Sequence, residues 1–194
     1  MRLASIVLVL CTFAAVSPAQ VGELSLSVGQ SIFKNNKLGS AGDLVNQYKV
    51  GDGFRIAARF TLNTKQFLGH EFGYAYNHNK LALTASPEEA KMPVHQAFYN
   101  ILLYMTPDGS RIRPFGTGGG HFSTFVPPGA SVTYGTGTTK YGVNYGAGVK
   151  VRLTPMFAMR IDLRDYITGK PFDLEGRSGA LHQVEASAGF GIFF

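Results

Sequence analysis

The chain lacks tryptophan, has one cysteine, Cys11, and is only 15% charged, against roughly 25% in soluble domains. A lone cysteine excludes a disulfide framework. Beyond the first residues no window approaches eighteen apolar positions, which excludes a helical membrane span. The basic balance of +6 does not indicate nucleic acid, because the cations are scattered singly along the chain instead of clustering. What is abundant is glycine (24), phenylalanine (15) and tyrosine (9), a composition that suits short strands.

The opening MRLASIVLVLCTFAAVSPAQ sets Arg2 before an apolar run from Ile6 to Val16, too short to span a bilayer as a helix, followed by Ser17-Pro18-Ala19. This is the pattern of a signal peptide cut after Ala19, giving residues 1–19 as the signal and 20–194 as the mature domain. A lipid-anchored reading would use Cys11, but Leu10 stands where lipoprotein signals carry a small residue. Cleavage removes one arginine, leaving 17 cations against 12 acids (17 − 12 = +5), and removes the only cysteine.

The rest of the chain alternates. Between Tyr141 and Leu153, Tyr141, Val143, Tyr145, Ala147, Val149, Val151 and Leu153 share one parity, and glycines with Asn144, Lys150 and Arg152 share the other. After Thr154-Pro155, Phe157, Met159, Ile161 and Leu163 alternate with Ala158, Arg160, Asp162 and Arg164. A period of two predicts β-strand. One face is continuously apolar while the other mixes glycine with full charges, which suits an apolar exterior and a polar interior. Eight such segments are expected: 23–32, 53–62, 67–77, 94–106, 112–123, 141–153, 157–166 and 181–194. The facing of 112–123 stays open, since Pro114 and Gly116–Gly120 leave few side chains to decide it. Connections after the second, fourth and sixth segments are short, while those after the first, third, fifth and seventh run to about a dozen residues or more, including 78–93. Within that stretch Ser86-Pro87-Glu88-Glu89 has the form of a helix start that nothing sustains. The expected fold is all-β: an eight-stranded antiparallel transmembrane up-and-down β-barrel preceded by a cleavable signal peptide. A lipocalin-type soluble barrel would face its apolar groups inward and has no place for the alternating Arg and Lys.

Residues Gly146, Gly148, Thr154, Pro155, Arg160, Asp162, Arg164 and Tyr166, with an extra Asp165, form a hairpin that resembles the OmpA-like outer-membrane β-barrel domain. The ending AGFGIFF, with Phe190, Ile192 and Phe194 on one parity, resembles the signal by which the barrel-assembly machinery recognises its clients. The resemblance implies a bacterial outer-membrane location with both mature termini periplasmic and four long loops outside. It further implies lipid and lipopolysaccharide as surroundings, and no periplasmic peptidoglycan-binding domain in a chain that stops at Phe194.

Nine charges fall on the inward parity: Arg55, Arg59, Glu71, Lys150, Arg152, Arg160, Asp162, Arg164 and Glu185. An eight-stranded lumen is about filled by side chains, so these groups are expected to pair as a structural network, with Arg55 and Lys150, or others near the ends, reaching water. The alternative is an anion-favouring or gated pore. His121-Phe122-Ser123 resembles the His-x-Ser pair of outer-membrane lipid A deacylases, in which His is the base and Ser the nucleophile. Here no acid follows on the next strand, and His121 is expected as a polar residue at the membrane rim. His70, His78, His95, His121 and His182 lack metal-ligand spacing, and Gly116–Gly120 lacks the Lys-Ser/Thr of a phosphate loop. Tyr74, Tyr76, Tyr99, Tyr104, Tyr141 and Tyr145 suit an interfacial aromatic girdle. The expectation is a monomeric, non-catalytic membrane or surface-contact protein without cofactor, working through its loops on an extracellular ligand.

Overall fold

A computed structural model describes residues 21–34, 37–40, 47–83, 89–129, 137–171 and 179–194. Residues 1–19, expected as a signal peptide, lie outside them, as do the tips of the connections. The described chain forms β1 (Val21–Lys34), β2 (Lys37–Ser40), β3 (Gln47–Lys65), β4 (Leu68–Leu83), β5 (Glu89–Tyr104), β6 (Ile112–Phe125), β7 (Thr138–Arg152), β8 (Phe157–Gly169) and β9 (Ala180–Phe193). Successive strands from β3 to β9 pair antiparallel, and β1 pairs with both β3 and β9, so the sheet closes on itself. The short β2 pairs with the start of β3 beyond the reach of β1, so the wall has eight staves. Closure leaves no open edge, the condition for a sheet to sit in lipid.

The alternation faces as expected. Leu26 is 63% exposed and Phe190 60%, whereas Arg55 is 0% and Arg59 1%. Large outward residues run from Leu24, Leu103, Ile112, Leu153 and Phe157 at one end to Phe54, Phe122 and Tyr141 towards the other. On β4 the outward run from Leu68 to Tyr76 matches the roughly 9–11 residues that a tilted strand needs to cross a bilayer. Register settles β6: Arg113, Phe115, Thr117, His121, Ser123 and Phe125 point inward, and Ile112 and Phe122 outward.

The tight turns are made by the residues that sequence reading picked out. Thr154 Oγ1 accepts from Phe157 N at 3.0 Å and from Met156 N at 3.3 Å, closing the β7–β8 hairpin. Gly109 takes a φ of +87° in the β5–β6 turn, a conformation side-chain-bearing residues rarely adopt. At the seam Gly22 N donates to Phe194 O at 3.0 Å and Phe194 N to Gly22 O at 2.9 Å, tying the two ends of the described chain together. Inward glycines are sockets for bulky lumen groups. A Cβ on Gly73 would lie 2.2 Å from the Phe98 ring, and one on Gly148 2.4 Å from Phe115.

The strands are longer than expected at the end opposite these turns. The stretch 78–93 is mostly ladder, with Asn79 opposite Met92 and Lys80 opposite Lys91, so the long connection there shrinks to the residues between Leu83 and Glu89. The physical reason is a reversal of polarity. Past the apolar belt, Phe33, Leu38, Val50, Met92, Val94, Phe125 and Leu181 turn inward as one buried cluster, while Lys34, Lys37, Lys80 and Lys91 turn outward. This end follows the soluble rule, apolar in and polar out, as a barrel projecting into water should. Of the tyrosines assigned to the girdle, Tyr104 is corrected: it lies inside at 4% exposure, where its ring covers the Phe115 ring edge-on.

Candidate functional site

The lumen of the membrane-crossing half is occupied by one ionic network. Glu185 on β9 faces Arg55 Nε across 3.1 Å as an ion pair, pairs with Arg59, and accepts from Tyr166 OH at 3.1 Å. Glu71 on β4 takes Arg160 Nη2 at 2.6 Å and Arg164 Nη1 at 2.8 Å, with Arg59 Nε at 3.9 Å linking the two carboxylates. Asp162 lies between its strand neighbours, 2.6 Å from Arg160 Nε and 2.8 Å from Arg164 Nη2. Strand periodicity explains this last arrangement, because residues two apart share a face and project side by side. Arg55 also donates to neutral acceptors, Nη1 to Asn77 Oδ1 at 2.7 Å and Gln96 Oε1 at 2.6 Å, and Nη2 to Tyr166 OH at 3.0 Å. Each ion is almost wholly out of water, which is tolerable only because every one has a partner of opposite sign.

Two smaller clusters lie toward the short turns. Lys150 pairs with Glu23 and donates to Tyr104 OH at 3.0 Å. Arg113 Nη1 reaches Asp108 Oδ1 at 2.8 Å, and its guanidinium stacks 3.7 Å above the Tyr104 ring. Above the network Gln183, Gln96, Ser31, Asn77 and Ser123 form a neutral hydrogen-bonded layer, and the apolar cluster lies beyond that.

Of the nine inward charges, Arg55, Arg59, Glu71, Arg160, Asp162, Arg164 and Glu185 are brought into one network. Lys150 stands apart in its own pair. Arg152 is corrected: it sits at the rim, partly exposed, 3.7 Å from Asp108, with its guanidinium over Phe193. Of the charges expected to reach water, Arg55 and Lys150 do not, their side chains being 0% and 2% exposed, whereas Arg152 at the end does. Sequence reasoning passed over Glu23, whose parity with Ser25 and Ser27 marks it as inward, and Arg113, whose strand had no assigned facing. The six cations and three acids among the nine are better balanced than that count suggests, since Glu23 pairs with Lys150 and Asp108, from a turn, lies by both Arg113 and Arg152.

A family model for the outer membrane protein beta-barrel domain matches residues 3–194. The chain belongs to that family. Solved structures of the family's architecture are similar throughout their length. Neisserial surface protein A superimposes with a TM-score of 0.62 at 15% identity, covering 91% of this chain and 97% of that one. OprG from Pseudomonas aeruginosa gives 0.61 at 14% identity, covering 90% and 95%. Ail of Yersinia pestis, in complex with the heparin analogue sucrose octasulfate, gives 0.54 at 13% identity, covering 90% and 99%. No curated protein sequence matches this chain. Membership makes this a barrel of the bacterial outer membrane and identifies its exposed apolar belt as the lipid-facing surface.

Within this outer-membrane barrel His121 and Ser123 share an inward face. His121 Nε2 lies 2.8 Å from Thr168 Oγ1, and Ser123 Oγ accepts from Gln96 Nε2 at 2.8 Å. The rim position expected for His121 is corrected, since it is 5% exposed and packed edge-on against Tyr166 inside the wall. The two side chains occupy successive inward positions, engaged with different partners, and their strand face turns away from the bilayer. Phe190, Ile192 and Phe194 all point outward, while Phe193 fills the lumen end. Among the described residues no group of three or more His, Cys, Asp or Glu is gathered as for a metal.

Proposed function

We propose that this protein is a non-catalytic, monomeric outer-membrane barrel with a closed lumen, which contacts an extracellular ligand through the end carrying its longer connections. Both mature termini and the short turns would face the periplasm, and assembly would proceed by recognition of Phe190, Ile192 and Phe194. The observation that carries the reading is the two-tier filling of the lumen: an interlocked ionic network across its middle, and an apolar cluster over it at the projecting end. Opening an aqueous path through the first tier would separate buried ion pairs, and the second tier adds packed apolar side chains above it. Deacylation has little geometric support, because Ser123 faces the lumen and its hydroxyl is held by Gln96. The descriptions of two similar structures, a surface protein and an attachment invasion locus protein, agree with this reading, although at such identity likeness speaks for the fold alone.

The deciding experiment is single-channel recording in planar bilayers. The expected result is a flat trace in wild type. Stepwise conductance whose size changes in Arg59→Gln or Arg160→Gln would replace this reading with a pore. Incubation of His121→Ala and Ser123→Ala with lipid A beside wild type should give no acyl release in any sample, and release lost in both variants would make the protein an enzyme. Excision of residues 130–136 or 172–178 that abolishes surface attachment while leaving the heat-modifiable fold intact would identify the contacting loop.

A further inference from the structure

The short-turn end holds more positive charge than it can neutralise. Its cations are Lys65, Arg111, Arg113, Lys150 and Arg152, and its acids are Glu23, Asp108 and the terminal carboxylate of Phe194 (5 − 3 = +2). Residues 1–20, which lead into this end, contain no acid. All three acids are already engaged. Glu23 pairs with Lys150 inside the wall. The Phe194 terminus stands at the β1–β9 seam, where its oxygen accepts from Gly22 N at 3.0 Å. Asp108 Oδ1 lies 2.8 Å from Arg113 Nη1 and 3.7 Å from Arg152 Nη2, so its close contact goes to Arg113. Arg111, exposed in the β5–β6 turn, makes no ion pair among the described residues.

Arg111 and Arg152 stand face to face. Arg152 N donates to Arg111 O at 2.7 Å, one rung beyond the Ile112–Val151 pair that ends the β6–β7 ladder. Like charges directly opposite one another destabilise a sheet. In addition, Arg152 Nε is buried without a hydrogen-bond partner. Together with Gly109, Leu153, Thr154 and Pro155 the two arginines line a cleft of about 320 Å³ between the β5–β6 and β7–β8 turns, within the range of ligand clefts. Thr154 Oγ1 accepts from the Met156 and Phe157 amides and keeps its own hydrogen to donate. Two guanidinium forks and a hydroxyl suit an oxyanion with several acceptor oxygens, and phosphate matches the fork geometry. Leu153 in the cleft wall, with Ile112, Met105 and Met156 nearby, is exposed and marks the foot of the lipid-facing belt. The cleft therefore suits a phosphate that carries hydrocarbon with it.

We propose that this cleft binds the phosphate of an anionic glycerophospholipid in the leaflet that surrounds the short turns. The phosphate lies between Arg111 and Arg152 with Thr154 donating to it, and the acyl chains run along Leu153 and Ile112. A headgroup with net negative charge is selected, because an ammonium group would bring one more cation to an end already in excess. This goes beyond the function proposed above: the cleft lies at the end opposite the longer connections, and it stands whichever way the barrel is inserted and whether or not those connections bind a ligand.

The test is native mass spectrometry of the full barrel released from a mild detergent, titrated with phosphatidylglycerol, with phosphatidylethanolamine, and with diacylglycerol, which has no phosphate. Wild type should retain phosphatidylglycerol at 1:1 in preference to both controls. Arg111→Gln, at an exposed and unpaired position, should lose about fivefold in apparent affinity, and Arg111→Gln/Arg152→Gln roughly thirtyfold, from one and two cations at an anionic surface. Lys65→Gln removes the same charge from the β3–β4 turn, outside the cleft, and should change retention by no more than about twofold, since a charge beyond the cleft is screened by salt. Each variant is checked for heat-modifiable migration. Retention unchanged in Arg111→Gln, an equal loss in Lys65→Gln, or no preference in wild type for phosphatidylglycerol would overturn the proposal.

Discussion

Replacing Glu185 with glutamine removes one negative charge and almost no volume from the middle of the lumen. Glu185 is the carboxylate on which Arg55, Arg59, Tyr166 and Ser187 converge. After substitution, Arg55 has no carboxylate partner and Arg59 keeps only the 3.9 Å contact with Glu71. Stranding one partner of a buried ion pair costs about 3–5 kcal/mol, and with a urea slope of about 1–3 kcal/mol/M the unfolding midpoint should fall by roughly 1–3 M. The chain has no tryptophan, so the assay is far-ultraviolet circular dichroism of protein folded in phospholipid vesicles, read beside heat-dependent gel migration. Glu185→Gln with Arg59→Met should recover part of the loss, because a missing cation leaves less charge stranded. A midpoint for Glu185→Gln within about 0.3 M of wild type, well inside the shift expected from that slope, would mean that water already solvates these guanidiniums and that the sealed lumen is wrong.

Gly73→Val should destabilise by about 1–3 kcal/mol through collision with the Phe98 ring, 2.2 Å from the new Cβ, and Phe98→Ala should rescue it, as a double-mutant cycle in urea will show. On the lipid face Leu163→Arg, within the apolar belt, should cost about 2–4 kcal/mol, and Leu103→Arg, near the short-turn end, about 0–1 kcal/mol. Equal costs would displace the membrane slab assigned here. Phe194→Gln should leave the folded barrel's stability in vesicles nearly unchanged, since the residue is 71% exposed, yet lower the amount of assembled protein in cells. Loss of stability in vesicles without any assembly defect would remove the recognition role from the terminal aromatic.

The period of two, by itself, determined the staves and their facing wherever the belt lies in lipid, because one solvent imposes one rule along a strand: Leu26 outward against Ser25 and Ser27, Ile161 and Leu163 outward against Arg160, Asp162 and Arg164. Turn residues with their own chemistry, Thr154 and Gly109, were legible for the same local reason. The candidate lumen residues were legible as a set but not as pairs. Parity says that Glu71 and Glu185 point inward. Only closure of the sheet brings β4 against β8, and β3 against β9 across β1, so that Arg164 finds Glu71 and Arg59 finds Glu185. Tertiary structure also decided where the rule reverses. The described rungs at 79–82 and 90–94 alternate with Met92 and Val94 inward and Lys80 and Lys91 outward, because those rungs stand in water above the membrane. Alternation alone carries no mark of which solvent a face will meet; the height of each rung in the closed barrel supplies it.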